Sequence, residues 1–193
     1  MTLSRALSVE KRMAMTESKR GSLQIRGTVD LVAVVIASGL GLGFIPFAPG
    51  TFGSLLGIAI CYALIEALKF EPYLLLNAII GASVVVTLAG TWAASRSEAA
   101  FQKKDASQIV VDEVAGQLIS FVFLAPALAR IGGNWRTALV IGFVLFRLFD
   151  IFKPWPIRRL EGLGSGVGVM ADDVLAGIYA AVVLSALLMV LPL

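Results

Sequence analysis

The chain has 193 residues, of which 58% are hydrophobic and only 15% are charged, and its mean hydropathy is +0.89. Soluble domains carry about 25% charged residues, so the composition excludes an ordinary soluble protein and predicts an integral membrane protein. The chain has no histidine and one cysteine, Cys61. An intrachain disulfide, a catalytic or metal-binding imidazole and a phosphohistidine intermediate are therefore excluded.

The positive charge is concentrated at the start of the chain. Residues 1–26 hold six basic and two acidic residues, a net charge of +4, whereas the remainder carries −1. A basic tail favours the cytoplasmic surface of an anionic bilayer over a nucleic-acid site, although a solvated, disordered tail accounts for it equally well. We predict a flexible tail over residues 1–27, a single helical domain over 28–193 and no nucleic-acid partner.

Apolar runs divide the rest of the chain into predicted helices. Because no run shows sustained period-two alternation, the predicted fold class is all-α, a compact polytopic membrane domain. The run at 31–45 is too short to span a bilayer, and we expect it to dip into the membrane and return, or to lie at the interface. The longer runs predict helices over 55–68, 73–95, 114–129, 137–152 and 174–193.

Basic connections predict the orientation in the membrane. Two of them carry three basic residues each: Arg96, Lys103 and Lys104 in the first, Lys153, Arg158 and Arg159 in the second. The positive-inside tendency places both in the cytoplasm. We expect the Gly/Pro-rich and acidic loops to share that face, although Arg130 and Arg136 in an opposite loop depart mildly from the rule.

Two similar acidic pairs stand beside apolar runs, in VDEVAG (111–116) and ADDVLAG (171–177). One interpretation is helix N-capping, in which an aspartate accepts backbone N–H groups. The alternative starts from the Ala-Gly that follows each pair, because small residues let membrane helices approach closely. The two helices would then pack together and bring four carboxylates around one or two divalent cations: Asp112, Glu113, Asp172 and Asp173. With oxygen ligands only, Mg²⁺ or Mn²⁺ is favoured over Zn²⁺.

Arg147, Asp150 and Lys153 recur every three residues near the end of the predicted helix 137–152, which places them along one face. They are explained either as an internal ion pair with a snorkelling lysine or as part of a phosphoryl site. In the second case Arg147 and Lys153 bind an anionic group while Asp150 joins the metal ligands.

Two glycine-rich stretches are candidate phosphate-binding elements. PFAPGTFGS (46–54) predicts a rigid turn followed by a helix start, with Thr51 or Ser54 as cap, and helix N-termini of this kind bind phosphate. GSGVG (164–168) is either a flexible connector or a backbone cradle that uses Gly166 and Gly168.

Three stretches taken together, PFAPGTFGSL, IVVDEVAGQ and FRLFDIFKPWPI with GVGVMADDVLAG, resemble the phosphatidylglycerophosphatase A family over about residues 39–181. The resemblance implies an all-helical, Mg²⁺-dependent, multi-pass enzyme of the bacterial inner membrane with its active site facing the cytoplasm. Such an enzyme removes the terminal phosphate of phosphatidylglycerophosphate. The implied site residues are an acidic set with two basic neighbours and a threonine in the PGT turn: Asp112, Glu113, Asp150, Asp172, Asp173, Arg147, Lys153 and Thr51.

The expected reaction is direct attack by metal-activated water, because the sequence offers no histidine, no cysteine-phosphatase loop around Cys61 and no D-x-D motif for a phosphoaspartate. The expected partners are a phospholipid substrate and the membrane, and a homo-oligomer is compatible with the chain. The rival interpretation is a small transporter or channel in which Arg147 and Asp150 line the pathway.

Overall fold

The computed structural model describes residues 23–68, 71–103, 106–160, 163 and 165–190. Helices make up 81% of these residues, and no strand occurs among them, which confirms the all-α class. The described residues form eight α-helices, in order α1 Thr28–Ala37, α2 Pro49–Ala67, α3 Pro72–Phe101, α4 Val111–Ser120, α5 Leu124–Ile131, α6 Trp135–Phe152, α7 Ile157–Leu160 and α8 Ser165–Val190. Two 3₁₀ turns, Leu42–Phe44 and Gly132–Asn134, precede α2 and α6.

In the part of the chain that the structure describes, three helices are long and apolar enough to cross a membrane: Pro49–Ala67, Pro72–Phe101 and Gly166–Val190. Two of them, α2 and α3, begin with proline at the first helical turn, where its fixed φ suits the helix and its missing N–H costs nothing. Helix α6 ends at Lys153, which adopts a left-handed conformation with φ 43° ahead of Pro154. These three spans identify the chain as a membrane protein.

Helix α4 is short, polar at its start and enclosed between longer helices. Gly53 and Gly57 of α2 face it, and a Cβ at either position would meet Val110 O or the Gln117 side chain at 2.6 and 2.9 Å. On its other side Gly116 lies against α8, where an added Cβ would come within 2.5 Å of Asp173 O. A Cβ on Gly177 of α8 would in turn collide with the Gly116 carbonyl. The backbones of α4 and α8 therefore touch, as the small-residue pattern predicts.

Two predicted boundaries are wrong. The apolar run 114–129 forms two helices instead of one, because the chain turns at residues 121–123 between α4 and α5. The last helix begins at Ser165 and not at 174, so GSGVG from residue 165 onward is helical and Asp172 and Asp173 lie inside the helix. A cap must precede the first turn, so these two aspartates do not cap α8.

The predicted caps of α2 are also wrong. Ala48 occupies the N-cap position and no side chain caps the helix. Thr51 and Ser54 lie within α2, and Ser54 Oγ donates a hydrogen bond to Gly50 O at 3.0 Å. The helix starts at Pro49 because that residue already has helical φ, and this requires no hydroxyl acceptor.

The short run 31–45 forms α1, a turn with left-handed residues at Gly39, Leu40 and Gly41, and a 3₁₀ turn. Its depth in the membrane and the orientation of the loops stay predictions. The predicted flexible tail falls mostly outside the described residues, and Gln24 near its end donates a backbone hydrogen bond to Ala100 O at 2.8 Å.

The α4–α8 contact predicts that Gly177→Ala destabilises the protein by about 1–3 kcal/mol, the usual cost of overpacking a tight interface. Gly81→Ala in α3 is the matched control, since a Cβ there meets nothing within 4 Å and alanine favours the helix. Thermal unfolding of the two variants in detergent measures the difference. Equal unfolding temperatures would contradict the close contact.

Candidate active site

The contact between α4 and α8 brings the two acidic pairs together. Asp112 and Glu113 lie in the first turn of α4, one turn before Gly116, while Asp173 lies one turn before Gly177 in α8. One carboxylate oxygen from each of Asp112, Glu113 and Asp173 lies within 4.8 Å of the others. The predicted convergence of the two helices is confirmed in this geometry.

A third helix adds another carboxylate. Asp150, in the last turn of α6, faces the same cavity as both acidic pairs. The cavity has a volume of about 520 Å³, within the usual range for a small-molecule site. Five carboxylates line the cavity: Asp112, Glu113, Asp150, Asp172 and Asp173.

Two cations balance part of this negative charge. Arg147 Nη1 lies 2.7 Å from Asp150 Oδ2 and donates a longer hydrogen bond of 3.4 Å to Ser54 Oγ. Lys153 Nζ lies 2.6 Å from Asp172 Oδ2. Both cations come from the end of α6. The internal ion pair suggested by their spacing is therefore present, and its carboxylate Asp150 lines the cavity whereas Arg147 does not.

The glycine-rich stretches have different positions around the cavity. Pro49, Gly50 and Gly168 line it, and a Cβ at Gly50 would collide with Glu113 Oε1. The N-terminus of α2 therefore forms one wall through Gly50, a residue that sequence reasoning passed over in favour of its neighbour Thr51. The PGT motif was the available signal, since glycine between proline and a helix suits close backbone approach.

Three other predicted substrate-binding residues, Thr51, Ser54 and Gly166, do not line the cavity. Thr51 is half-buried in the first turn of α2, and Ser54 is fully buried, where it accepts a hydrogen bond of 3.4 Å from Arg147 Nη1. Gly166 faces α3, where its N–H donates to Ser95 Oγ at 3.1 Å. The structure also adds Ser107, Ile109 and Leu163 to the lining, loop residues without a sequence motif.

Burial makes the carboxylates of α4 hard to ionise. The pKa of Asp112 is raised well above its usual range, first by desolvation and next by the charges of Glu113 and Asp173. Desolvation also raises the pKa of Glu113, and the side-chain hydrogen bond from Asp112 opposes that shift. Carboxylates this close repel each other as anions unless a cation lies between them.

Three buried carboxylate oxygens have no hydrogen-bond partner within the described part of the chain: Asp112 Oδ1, Glu113 Oε2 and Asp172 Oδ1. Buried polar atoms are normally satisfied, so unpartnered oxygens on three neighbouring carboxylates fit the ligand set of a divalent cation. Because every available donor is oxygen, the set suits Mg²⁺.

Several known proteins and one family model are similar to this chain in sequence. The sequence model of the family described as "Phosphatidylglycerophosphatase A" matches residues 35–188. A Bacteroides thetaiotaomicron protein named "Putative phosphatidylinositol-3-phosphatase" is 41% identical over 152 residues, which cover 79% of this chain and 91% of that protein. No solved structure matches the chain significantly.

Two further relatives carry the family name, "Phosphatidylglycerophosphatase A". The Haemophilus influenzae protein is 38% identical over 79% of this chain and 86% of its own length. The Escherichia coli protein is 32% identical over 78% of this chain and 80% of its own length. With the family model covering the acidic pairs, the end of α6 and the start of α2, the chain belongs to the phosphatidylglycerophosphatase A family and is a phosphatase.

Proposed function

We propose that the protein is a Mg²⁺-dependent lipid phosphatase that hydrolyses the terminal phosphate of phosphatidylglycerophosphate to phosphatidylglycerol and inorganic phosphate. The observation that carries the proposal is the convergence of five carboxylates and Lys153 in one cavity beside the candidate membrane-spanning helices, with Arg147 paired to the lining residue Asp150. Two relatives named for this activity align along most of the chain. The transporter interpretation is not carried forward, because the family is one of phosphatases.

The carboxylates of α4 and α8 are the proposed metal ligands. Asp112, Glu113 and Asp173 present oxygens within 4.8 Å of one another, and Asp150 and Asp172 flank them in the same cavity. When bound there, Mg²⁺ supplies positive charge that polarises a phosphoryl oxygen and makes water a better nucleophile at neutral pH.

The cations at the end of α6 are the proposed phosphate-binding groups. Arg147 presents a planar guanidinium with five N–H donors, which can contact Asp150 and a phosphate oxygen together. Ser54 and Asp150 hold it from two directions. Lys153 is partly buried beside Asp172, where its ammonium can neutralise phosphate charge as the leaving oxygen departs.

Water attacks the phosphorus directly in this proposal. Cys61 is buried in α2 and does not line the cavity, so it is not placed to act as a nucleophile. Glu113 and Asp150, which both line the cavity, are the proposed acceptors for the proton of the attacking water. No covalent bond between enzyme and phosphate is needed.

Exposed apolar residues beside the cavity suit a lipid substrate. Phe47, just before the lining residue Pro49, is 80% exposed, and Trp155, two residues after Lys153, is 73% exposed. Aromatic residues in such positions favour the membrane interface. We propose that the headgroup enters from the cytoplasmic leaflet of the bacterial inner membrane while the acyl chains stay in the bilayer.

Replacing Glu113 or Asp173 with alanine should lower phosphate release from phosphatidylglycerophosphate by at least about 100-fold, the usual effect of losing a charge-positioning group. The assay is inorganic phosphate release by purified protein in detergent. Glu66→Ala is the control, because Glu66 pairs with Arg136 on the surface about 24 Å along α2 from Gly50 by helix rise. Near-normal turnover by both site variants would contradict the metal-site assignment.

Magnesium binding should be visible without catalysis. A saturating excess of Mg²⁺, about 100 times its Kd, stabilises a protein by about 2.7 kcal/mol, and Asp112→Asn should remove most of this gain. Because the substitution also removes one of several repelling carboxylates, the metal-free variant should unfold no earlier than the wild type. Thermal unfolding with Mg²⁺ and with chelator measures both effects. An undiminished Mg²⁺ response in Asp112→Asn would contradict its role as a ligand.

The headgroup preference needs its own test, because the Bacteroides thetaiotaomicron relative is named for phosphatidylinositol-3-phosphate. We expect faster release from phosphatidylglycerophosphate than from phosphatidylinositol-3-phosphate at equal lipid concentration. Both reactions should stop with chelator. A reversed order would overturn the proposed substrate while leaving the phosphatase in place.

A further inference from the structure

A second cavity, of about 820 Å³, lies beside α3 on a face that the acidic site does not use. Gly90 of α3 faces α8 and α4, with Met170 and Val111 as its neighbours. Trp92, two residues later, points away from them into the second cavity and is 44% exposed. We name this cavity the α3 groove; its far wall is formed by the segment before α1 and by the first turn of α1.

The α3 groove is positively charged among the described residues that line it. Arg26 and Arg96 are its cations and Asp30 its one carboxylate. Asp30 Oδ1 lies 2.8 Å from Arg96 Nε, and Asp30 Oδ2 accepts the backbone N–H of Arg26 at 3.0 Å. The side chain of Arg96 is nevertheless 48% exposed. An arginine has five N–H donors, so the pair with Asp30 leaves its terminal nitrogens able to bind a second anion.

Along α3 the groove changes from apolar to charged, in the same order as a phospholipid changes from acyl chain to phosphate. Leu88, Trp92 and Arg96 are four residues apart, so they form one stripe about 12 Å long. Leu88 is 68% exposed, and the stripe passes from an aliphatic side chain through an indole to a guanidinium. Acyl chain, interface and phosphate follow each other in the same order in a bilayer leaflet.

We propose that the α3 groove binds an anionic phospholipid, with its phosphate between Arg26 and Arg96 and an acyl chain along Trp92 and Leu88. Two guanidinium groups face the single carboxylate of Asp30, so the groove favours a second negative charge, which the lipid phosphate would supply. A zwitterionic headgroup would place its own cation beside these arginines, so such lipids are disfavoured. Residues 1–22 carry five basic and two acidic residues, so charge also disfavours the tail of the chain as the occupant.

This site is separate from the acidic cavity but lies at the same end of the membrane helices. Ser95, which lines the groove, accepts the Gly166 N–H, and Gly168, two residues later, lines the acidic cavity. A lipid in the groove would therefore have its phosphate in the leaflet from which the substrate is proposed to enter, without touching the catalytic carboxylates. Its binding does not depend on the catalytic assignment.

Two variants with opposite expected effects test the proposal. Arg96→Gln should weaken phosphatidylglycerol binding about tenfold, the loss expected for one charge-assisted hydrogen bond. Asp30→Asn removes the carboxylate that competes for Arg96 and should strengthen binding. Arg136→Gln is the matched control, because Arg136 also pairs with an acidic residue and stacks on a tryptophan, but lies at the other end of the helices.

Native mass spectrometry of the full-length protein in detergent, titrated with phosphatidylglycerol or phosphatidylcholine, measures the bound lipid. Lipid held in the acidic cavity contributes equally to all three variants and cancels in the comparison. Phosphate release by Arg96→Gln and Asp30→Asn should stay at the wild-type level, which checks their folding. Unchanged phosphatidylglycerol binding in Arg96→Gln, weaker binding in Asp30→Asn, or equal retention of the two lipids by the wild type would overturn the proposal.

Discussion

The contact between the backbones of α4 and α8 is the constraint on which the site depends. Gly116 and Gly177 allow it, since a Cβ on either would collide with the other helix. The acidic residues lie one turn before these glycines on both helices, so close packing of the backbones forces Asp112, Glu113 and Asp173 together. The attraction that closes the interface is packing between small residues, and it works against the repulsion between the carboxylates.

This opposition gives the site its chemical character. Desolvation raises the pKa of Asp112 and Glu113, and three buried carboxylate oxygens have no partner within the described chain. A fold that holds carboxylates in this arrangement carries a free-energy cost that a divalent cation relieves. Arg147 and Lys153 offset part of the negative charge from the α6 side. The same charge balance that prepares the site for a metal also prepares it for a phosphate.

Helix α4 can hold the acidic residues because longer helices enclose it. The glycines of α2 bring that helix onto one side of α4 and α8 covers the other, so the short and partly polar α4 is protected without being a span itself. At the opposite face of α3 the chain presents exposed apolar residues and two arginines. The acidic cavity and the α3 groove therefore differ in charge: the first concentrates buried carboxylates, and the second leaves two arginines exposed.

Composition and local pattern determined much of this protein. The membrane class, the helical fold, the span in α3 and the choice of candidate acidic and basic residues all follow from apolar run length and from charges too costly to place in lipid without a function. The Ala-Gly step after each acidic pair even indicated which helices would meet. These features depend on residues near each other in the sequence, and local physics acts on them directly.

Only the tertiary structure decided where each residue stands in the site. Sequence patterns placed Asp172 and Asp173 before their helix, but α8 starts earlier because its glycine-rich first turn packs on α3 through Gly166 and Ser95. They favoured Thr51 over Gly50 because a hydroxyl group is a recognisable ligand. Gly50 matters because it has no side chain, which leaves room for Glu113 of α4, and that contact is known only from the tertiary structure. Contacts between segments that are distant in the sequence set these positions, and local sequence periodicity does not predict such contacts.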